Sequence, residues 1–240
     1  MRKSRMAASQ IIAMGGGGFS MEPDNLALDR YVLAASGIPN PKICFLPTAS
    51  GDAQIYIDKF YAAFRTLDCT PSHLSLFQPH TADIADYLLE QNIVYVGGGS
   101  TRNLLVLWRE WQLDSILREA WQSGTVLAGI SAGALCWFEE GLSDSVRAGD
   151  LQPIRALGFL PGAFSPHYDG ESNRRPAYQR FIAEEKLGAG YAADDGAALH
   201  FIGTRLDRVV SSRPTAKAYR VRWTGTTVEE TPLPIDFLLG

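Results

Sequence analysis

Short apolar runs alternate with longer amphipathic segments along the first 130 residues. The apolar runs predict five strands, at residues 10–14, 42–47, 73–77, 92–96 and 125–130. The segments between them have apolar residues at helical spacing and predict helices at residues 24–36, 53–67, 82–90, 104–108 and 113–122. Asp24 is the expected cap of the first of these helices.

Strands that alternate with helices of this length pair in parallel through right-handed crossovers. We therefore predict an α/β fold with a doubly wound, mostly parallel central sheet and helices on both faces. Small-residue turns follow four of the strands, after Met14, after Pro47, after Val96 and around Ser131. Because ligands bind beyond the carboxyl ends of such strands, these turns are expected to border one site.

Beyond Phe138 the pattern changes, and residues 139–169 are predicted to be mostly loop because they are rich in glycine and proline. A helix at 176–186, short strands at 190–193, 198–202 and 208–211, and a C-terminal antiparallel hairpin of residues 218–223 and 227–230 are predicted to follow. No linker or repeat is visible. We expect one domain over residues 1–240, with residues 1–9 as a disordered lead-in.

Composition narrows the class of protein. Of 240 residues, 46% are hydrophobic and 20% charged, and the formal net charge is -4, which is typical of a globular protein. No basic run with interleaved aromatic residues predicts a nucleic-acid partner, and no apolar stretch approaches the roughly 20 residues of a membrane helix. Cys44, Cys69 and Cys136 lack metal-like spacing, so reduced thiols and a cytoplasmic location are expected.

One motif points to chemistry. The apolar run 125–130 leads into Gly129-Ile130-Ser131-Ala132-Gly133, the pattern of a nucleophile elbow, in which serine lies at a sharp strand-to-helix turn. A side chain at Gly129 or Gly133 would crowd that turn. Ser131 is therefore a candidate nucleophile; the alternative is a tight turn with a buried serine.

A serine hydroxyl needs an adjacent base. Of the four histidines, His167 is the best placed, because it follows Pro166 on a stiff loop beyond the elbow. His73, His80 and His200 suit a strand start, a polar loop and an apolar strand respectively. The alternative for His167 is an ordinary surface histidine.

The acid that orients the base is expected to be Asp194 or Asp195, at a predicted strand end, with Asp144, Asp150 and Asp169 as weaker candidates. Backbone N–H groups of Ala132 and of Gly98 or Gly99 are the expected oxyanion hole. The glycine runs 15–18 and 97–99 also suit phosphate binding or plain turns. They lack a dinucleotide fingerprint, and neither a P-loop lysine nor a metal-ligand cluster is present, so no cofactor is predicted.

Taken together, these residues resemble peptidase family S51, the group of dipeptidase E (aspartyl dipeptidase) and cyanophycinase. The resemblance covers roughly residues 11–210 and rests on four segments in the family's order: 94–101 (Val-Tyr-Val-Gly-Gly-Gly-Ser-Thr), 129–134 (Gly-Ile-Ser-Ala-Gly-Ala), 165–168 (Ser-Pro-His-Tyr) and 195–196 (Asp-Gly). It implies a fold like that of class I glutamine amidotransferase domains. It also implies Ser131 as nucleophile and His167 as base.

Two features depart from the family pattern. The third catalytic residue of dipeptidase E is a glutamate before a glycine, whereas Asp195 precedes Gly196 here. The aspartyl dipeptidases bind the substrate's N-terminal Asp through an arginine beyond the histidine. Arg174 and Arg175 are the candidates for that role here, and Glu171 is a candidate for holding a substrate ammonium group.

The expected function is a serine exopeptidase that hydrolyses dipeptides or short peptides without a cofactor, through Ser131, His167 and Asp195. Its expected partner is a small peptide substrate. Neither a nucleic acid nor a membrane is expected as a partner, and the sequence leaves open whether the protein forms a homo-oligomer. The alternatives are a cyanophycinase-like or isoaspartyl hydrolase and a non-catalytic module that binds a small molecule. An α/β-hydrolase fold is disfavoured, because in that fold the acid precedes the histidine along the chain.

Overall fold

The structure is a computed structural model that describes residues 8–147 and 150–239. Within them lie fourteen strands: β1 (Gln10–Met14), β2 (Lys42–Leu46), β3 (Thr70–His73), β4 (Ile93–Val96), β5 (Val126–Ile130), β6 (Phe138–Arg147), β7 (Asp150–Arg155), β8 (Leu160–Ser165), β9 (Gly190–Ala193), β10 (Ala197–Ile202), β11 (Arg205–Ser211), β12 (Ala218–Trp223), β13 (Val228–Pro232) and β14 (Asp236–Phe237). Residues 1–7 of the expected lead-in lie outside the described residues.

Eight α-helices connect these strands: α1 (Gly18–Met21), α2 (Ala27–Ala35), α3 (Gln54–Phe64), α4 (Ile84–Leu89), α5 (Thr101–Glu110), α6 (Leu113–Gln122), α7 (Ala132–Leu135) and α8 (Arg174–Ala183). The first helix predicted from the sequence begins three residues later than expected. Asp24 does not cap α2; its cap position is Leu26, which makes no capping hydrogen bond through its side chain.

The central sheet has eight strands in the order β14-β11-β10-β1-β5-β4-β2-β3. Five neighbouring strands pair in parallel: β1, β5, β4, β2 and β3. Strand β10 pairs antiparallel with both β1 and β11. This arrangement confirms the predicted fold class. It also brings the small-residue turns after β1, β2, β4 and β5 to one edge of the sheet.

Successive side chains of a strand point to opposite faces of a sheet, and β1 shows this alternation. Ile11 and Ala13 belong to the core on one face, whereas Ile12 and Met14 belong to the core on the other. The Ile12 face is covered by α1, α2 and α3, and the Ile11 face by α4 to α7 together with a second sheet. Both faces of the sheet are therefore buried, which explains why these strands are continuous apolar runs.

The second sheet corrects the prediction that residues 139–169 are mostly loop. Its six strands have the order β13-β12-β9-β8-β6-β7. Glycine and proline serve here as strand residues: Pro153 lies in the edge strand β7, where a missing N–H is tolerated, and Gly141 leaves room for the Phe164 carbonyl of β8. The predicted C-terminal hairpin is confirmed as the antiparallel pair β12–β13.

The two sheets share a hydrophobic core, in which Phe138 of the second sheet packs edge-on against Phe201 of the central sheet with ring centroids 5.8 Å apart. The single-domain assignment stays a prediction. In the described part of the chain, no helix is both long and apolar enough to cross a membrane.

The third predicted strand, 73–77, is wrong in position, because β3 ends at His73. Beyond it the backbone turns toward Asp52 in the loop after β2. The Asp52 carboxylate accepts hydrogen bonds from the N–H groups of Leu76 and Phe77, at 2.7 and 3.0 Å. A side chain distant in sequence thus takes the hydrogen bonds that a longer strand would have used.

Candidate active site

Ser131 lies at a sharp turn between β5 and α7. Its backbone angles, φ 57° and ψ -116°, are costly for a residue with a side chain. The flanking glycines allow the turn to close: a Cβ on Gly129 would overlap the Gly133 carbonyl, and a Cβ on Gly133 would overlap the carbonyl of Val96 in the neighbouring strand. The sequence motif therefore forms the nucleophile-elbow geometry that it predicted.

The structure brings Ser131, His167 and Asp195 into one hydrogen-bonded chain. Ser131 Oγ lies 2.8 Å from His167 Nε2, and His167 Nδ1 lies 2.6 Å from Asp195 Oδ1. A carboxylate can only accept, so Nδ1 carries the ring proton and Nε2 accepts from the serine hydroxyl. His167 also has a positive φ, 51°, which makes it a second backbone outlier at this place.

The acid is the most protected of the three side chains, since Asp195 is 8% exposed and Ser131 and His167 are half-buried. Burial raises the pKa of the Asp195 carboxyl. The hydrogen bond and charge of His167, together with the charges of Arg213 and Arg174, outweigh burial and hold that pKa below its ordinary value. Asp195 is therefore ionised at neutral pH.

Tertiary structure distinguishes the two candidate acids. The Asp194 side chain turns away from His167 and accepts a hydrogen bond from the Lys217 N–H at 2.9 Å. Burial, with the neighbouring charge of Asp169, raises the pKa of Asp194 to about 6. Asp169, a weaker candidate for the acid, instead accepts the Asp195 N–H at 2.8 Å.

The glycine run at the end of β1 packs beside the hydrogen-bonded pair of His167 and Asp195. The Gly15 carbonyl accepts the His167 N–H at 3.2 Å, and the Gly16 carbonyl accepts the Gly196 N–H at 3.0 Å. A Cβ on Gly16 would overlap Asp195 Oδ1. The sequence suggested phosphate binding or plain turns for this run, and its contact with the acid was missed. The four consecutive glycines were the feature that could have indicated a close approach to another group.

The second glycine run, 97–99, packs beside the serine. A Cβ on Gly98 would lie 3.2 Å from Ser131 Cβ. The Gly98 N–H donates to the hydroxyl of Tyr56 at 3.2 Å. Ala132 is the first residue of α7, and the first N–H groups of a helix have no acceptor within that helix. Tyr56 carried no signal in the sequence.

The charged residues beyond His167 pair with one another. Arg174 is buried, with its guanidinium bonded to the Glu171 carboxylate at 2.7 and 2.9 Å and to the Leu142 carbonyl at 3.1 Å. Arg175 is exposed and forms an ion pair with Glu230 of β13. The structure places neither arginine side chain in contact with Ser131 or His167. Glu171 contacts His167 through the backbone alone, where its N–H donates to the His167 carbonyl at 3.3 Å.

Two of the other three histidines have hydrogen-bond partners elsewhere. His73 Nδ1 lies 2.9 Å from the Tyr61 hydroxyl, and His200 lies between the hydroxyl of Tyr31 and the amide of Gln10. In residues 8–147 and 150–239, no group of three or more His, Cys, Asp or Glu is arranged to hold a metal ion.

Fold and site together define an α/β protein with a hydrolase-type site at the carboxyl edge of its sheet. The family model described as Peptidase family S51 matches residues 11–209. The chain belongs to peptidase family S51 and is a peptidase, which confirms the resemblance seen in the sequence.

Relatives agree with this assignment. The chain is 63% identical over 229 residues to the uncharacterized peptidase YgaJ of Bacillus subtilis, an alignment that covers 95% of this chain and 99% of that protein. It is 29% identical over 140 residues to Peptidase E of Haemophilus influenzae, which covers 51% of this chain and 62% of that one. The crystal structure of a peptidase from an acI-B1 Actinobacterium superposes with a TM-score of 0.71 at 16% identity, over 98% of both chains, and so shares the fold.

Proposed function

We propose that this peptidase is a serine exopeptidase that hydrolyses dipeptides or short peptides through an acyl-enzyme on Ser131. The observation that carries the proposal is the hydrogen-bonded chain from Ser131 through His167 to Asp195. The exopeptidase part of the proposal follows the resemblance to the dipeptidase E group, and relatives named Peptidase E support a peptidase. A hydroxyl bonded to an oriented imidazole is the arrangement that activates serine for acyl transfer.

In the first half-reaction, Ser131 Oγ forms a bond to the scissile carbonyl carbon while its proton passes to His167 Nε2. The C–N bond then breaks, and the imidazolium returns that proton to the leaving amine. In the second half-reaction, water attacks the acyl-enzyme with His167 again accepting the proton. Asp195 remains ionised throughout, holds the ring through Nδ1–H and stabilises the imidazolium charge.

The tetrahedral intermediates carry negative charge on the former carbonyl oxygen. We assign its stabilisation to the Ala132 N–H together with the N–H of Gly98 or Gly99, since both segments border Ser131. These steps use no metal ion and no organic cofactor.

The substrate class follows from the charges around the site. Arg174 and Arg175 are neutralised by Glu171 and Glu230, so a strict requirement for an N-terminal Asp has no support in the arrangement of these side chains. We therefore propose a broader preference for short peptides.

The test is a panel of Asp-X and other dipeptides, with β-linked aspartyl peptides included, scored for free amino acids. We expect the wild-type protein to turn over dipeptides and Ser131→Ala to show no turnover above background. A fluorophosphonate should label Ser131 in the wild-type protein, and His167→Ala should abolish this labelling. His80→Ala, which changes an exposed loop histidine, is the control and should label normally. Intact dipeptides throughout would overturn the exopeptidase assignment, and exclusive cleavage of β-linked peptides would favour an isoaspartyl hydrolase.

A further inference from the structure

The turn of residues 97–100, which packs beside Ser131, has an uneven set of backbone hydrogen bonds. Three of its four N–H groups donate to the segment 46–56: Gly97 to the Leu46 carbonyl at 3.1 Å, Gly98 to the Tyr56 hydroxyl at 3.2 Å, and Ser100 to the Ala49 carbonyl at 2.7 Å. Within the part of the chain that the structure describes, the Gly99 N–H has no acceptor. Gly99 is also exposed, so this donor is available to a ligand.

The Gly98 Cα faces the nucleophile. A Cβ built on Gly98 would lie 3.2 Å from Ser131 Cβ and 3.7 Å from Ser131 Oγ. A change of φ or ψ at Gly98, which turns the adjoining peptide planes, would therefore change which polar group lies nearest the serine. Glycine has no side chain to resist such rotation, so the turn needs an external restraint.

Tyr56 supplies a rigid restraint. Its ring, on α3, packs against Phe45 and Phe19 with centroids 5.1 and 5.6 Å apart, and a Cβ on Gly97 would lie 2.9 Å from its Cε1. Burial raises the pKa of the phenol, so the hydroxyl keeps its proton and accepts the Gly98 N–H through a lone pair.

We propose that Tyr56 is a positioning residue for the oxyanion hole. Its hydroxyl holds the Gly98 N–H, and the Gly99 N–H is thereby left as the second donor, with that of Ala132, to the tetrahedral intermediate. Tyr56 acts through the backbone and touches no reacting atom. This inference rests on the proposed acyl-enzyme function of Ser131.

The test compares Tyr56→Phe with Tyr61→Phe. Both residues lie on α3 and are half-buried, and each loses one hydroxyl hydrogen bond, but the Tyr61 hydroxyl bonds to His73 and not to residues 97–100. In Tyr56→Phe we expect kcat and the rate of fluorophosphonate labelling of Ser131 to fall together by about fivefold to tenfold, the equivalent of one neutral hydrogen bond. KM should stay within about twofold, because the oxyanion forms only after substrate binds.

Unchanged kcat and labelling rate in Tyr56→Phe would overturn the inference, as would an equal loss in Tyr61→Phe. A raised KM at constant kcat would also overturn it, because that result assigns Tyr56 to substrate binding. A wild-type protein that neither turns over peptides nor reacts with the probe refutes the proposed function, and this inference with it. If the wild-type protein turns over peptides and reacts with the probe, and Tyr56→Phe does so at the same rates, only the inference about Tyr56 is refuted.

Discussion

Gly16 lies so close to Asp195 that residue 16 has no room for a side chain. A Cβ there would overlap Asp195 Oδ1 and lie 3.0 Å from His167 Nδ1. The two residues also pair as a parallel bridge that joins the end of β1 to the loop after β9. The backbone of the central sheet thus sets the position of the carboxylate that orients His167.

The first prediction concerns this contact. Gly16→Ala should push the Asp195 carboxylate away from His167 and lower kcat/KM by about 100-fold, the cost expected for a displacement near 1 Å in a catalytic group. Steady-state kinetics with the best dipeptide from the panel provides the measurement. Gly188→Ala is the control, since a Cβ there meets only Glu140 Oε1 at 3.4 Å. Full activity in Gly16→Ala would contradict the role given to this contact.

The second prediction concerns strain at the elbow. A positive φ of 57° costs a serine or alanine on the order of 1 kcal/mol, a cost that glycine avoids. Ser131→Ala and Ser131→Gly should both be inactive, but Ser131→Gly should have the higher free energy of unfolding in urea. Equal stability of the two variants would show that the turn stores no strain.

The third prediction concerns a buried carboxyl outside the proposed mechanism. Asp29 of α2 is fully buried, and neither of its oxygens has a hydrogen-bond partner among the described residues. Burial raises the pKa of Asp29 to about 7, more than the nearby Tyr95 hydroxyl and Phe19 backbone lower it. Since the folded state binds this proton more tightly than the unfolded chain, stability should fall as pH rises from about 4 through 7.

Replacement of Asp29 by Asn removes the titrating group. Between pH 5 and pH 8 the wild-type protein should lose more free energy of unfolding than Asp29→Asn, by on the order of 2 kcal/mol. Urea unfolding at both pH values measures the difference. Asp68→Asn, which changes an exposed carboxyl, should behave as wild type. Parallel pH profiles for wild type and Asp29→Asn would show that Asp29 is not the source of the dependence.

The fourth prediction separates the two arginines beyond His167. Arg174→Gln removes a buried guanidinium that pairs with the partly exposed Glu171 and frees the Leu142 carbonyl, so it should lower the free energy of unfolding by about 2–3 kcal/mol. Arg175→Gln loses an exposed ion pair and contacts with the faces of Tyr168 and Tyr219. It should lower the free energy of unfolding by only about 0.5–1 kcal/mol.

Neither change should alter the order of preference among dipeptides. The relevant measurement is kcat/KM for Asp-X against other substrates in both variants. Selective loss of Asp-X cleavage in Arg175→Gln would instead assign Arg175 to recognition of the substrate.

Local sequence was sufficient for several elements of the fold, in both sheets. The run 10–14, the run 190–193 and the helix 113–122 have the predicted bounds, because each combines a strong apolar pattern with clear flanking turns. Three strands of the second sheet, β6, β7 and β8, were missed, because the glycines and prolines of residues 139–169 are indistinguishable from loop residues until the partner strands are known. Tyr56 could not be predicted, since its hydroxyl meets Gly98 across 42 residues.

The sequence by itself determined the strand–serine–helix turn, because Gly129, Ser131 and Gly133 act within five residues. It also narrowed the acid to a pair at the end of one strand. Tertiary structure decided between them: neighbouring residues of extended backbone point to opposite sides, so Asp195 turns to His167 and Asp194 to Lys217. It also decided the role of Gly16, because only the folded sheet brings the end of β1 against that carboxylate.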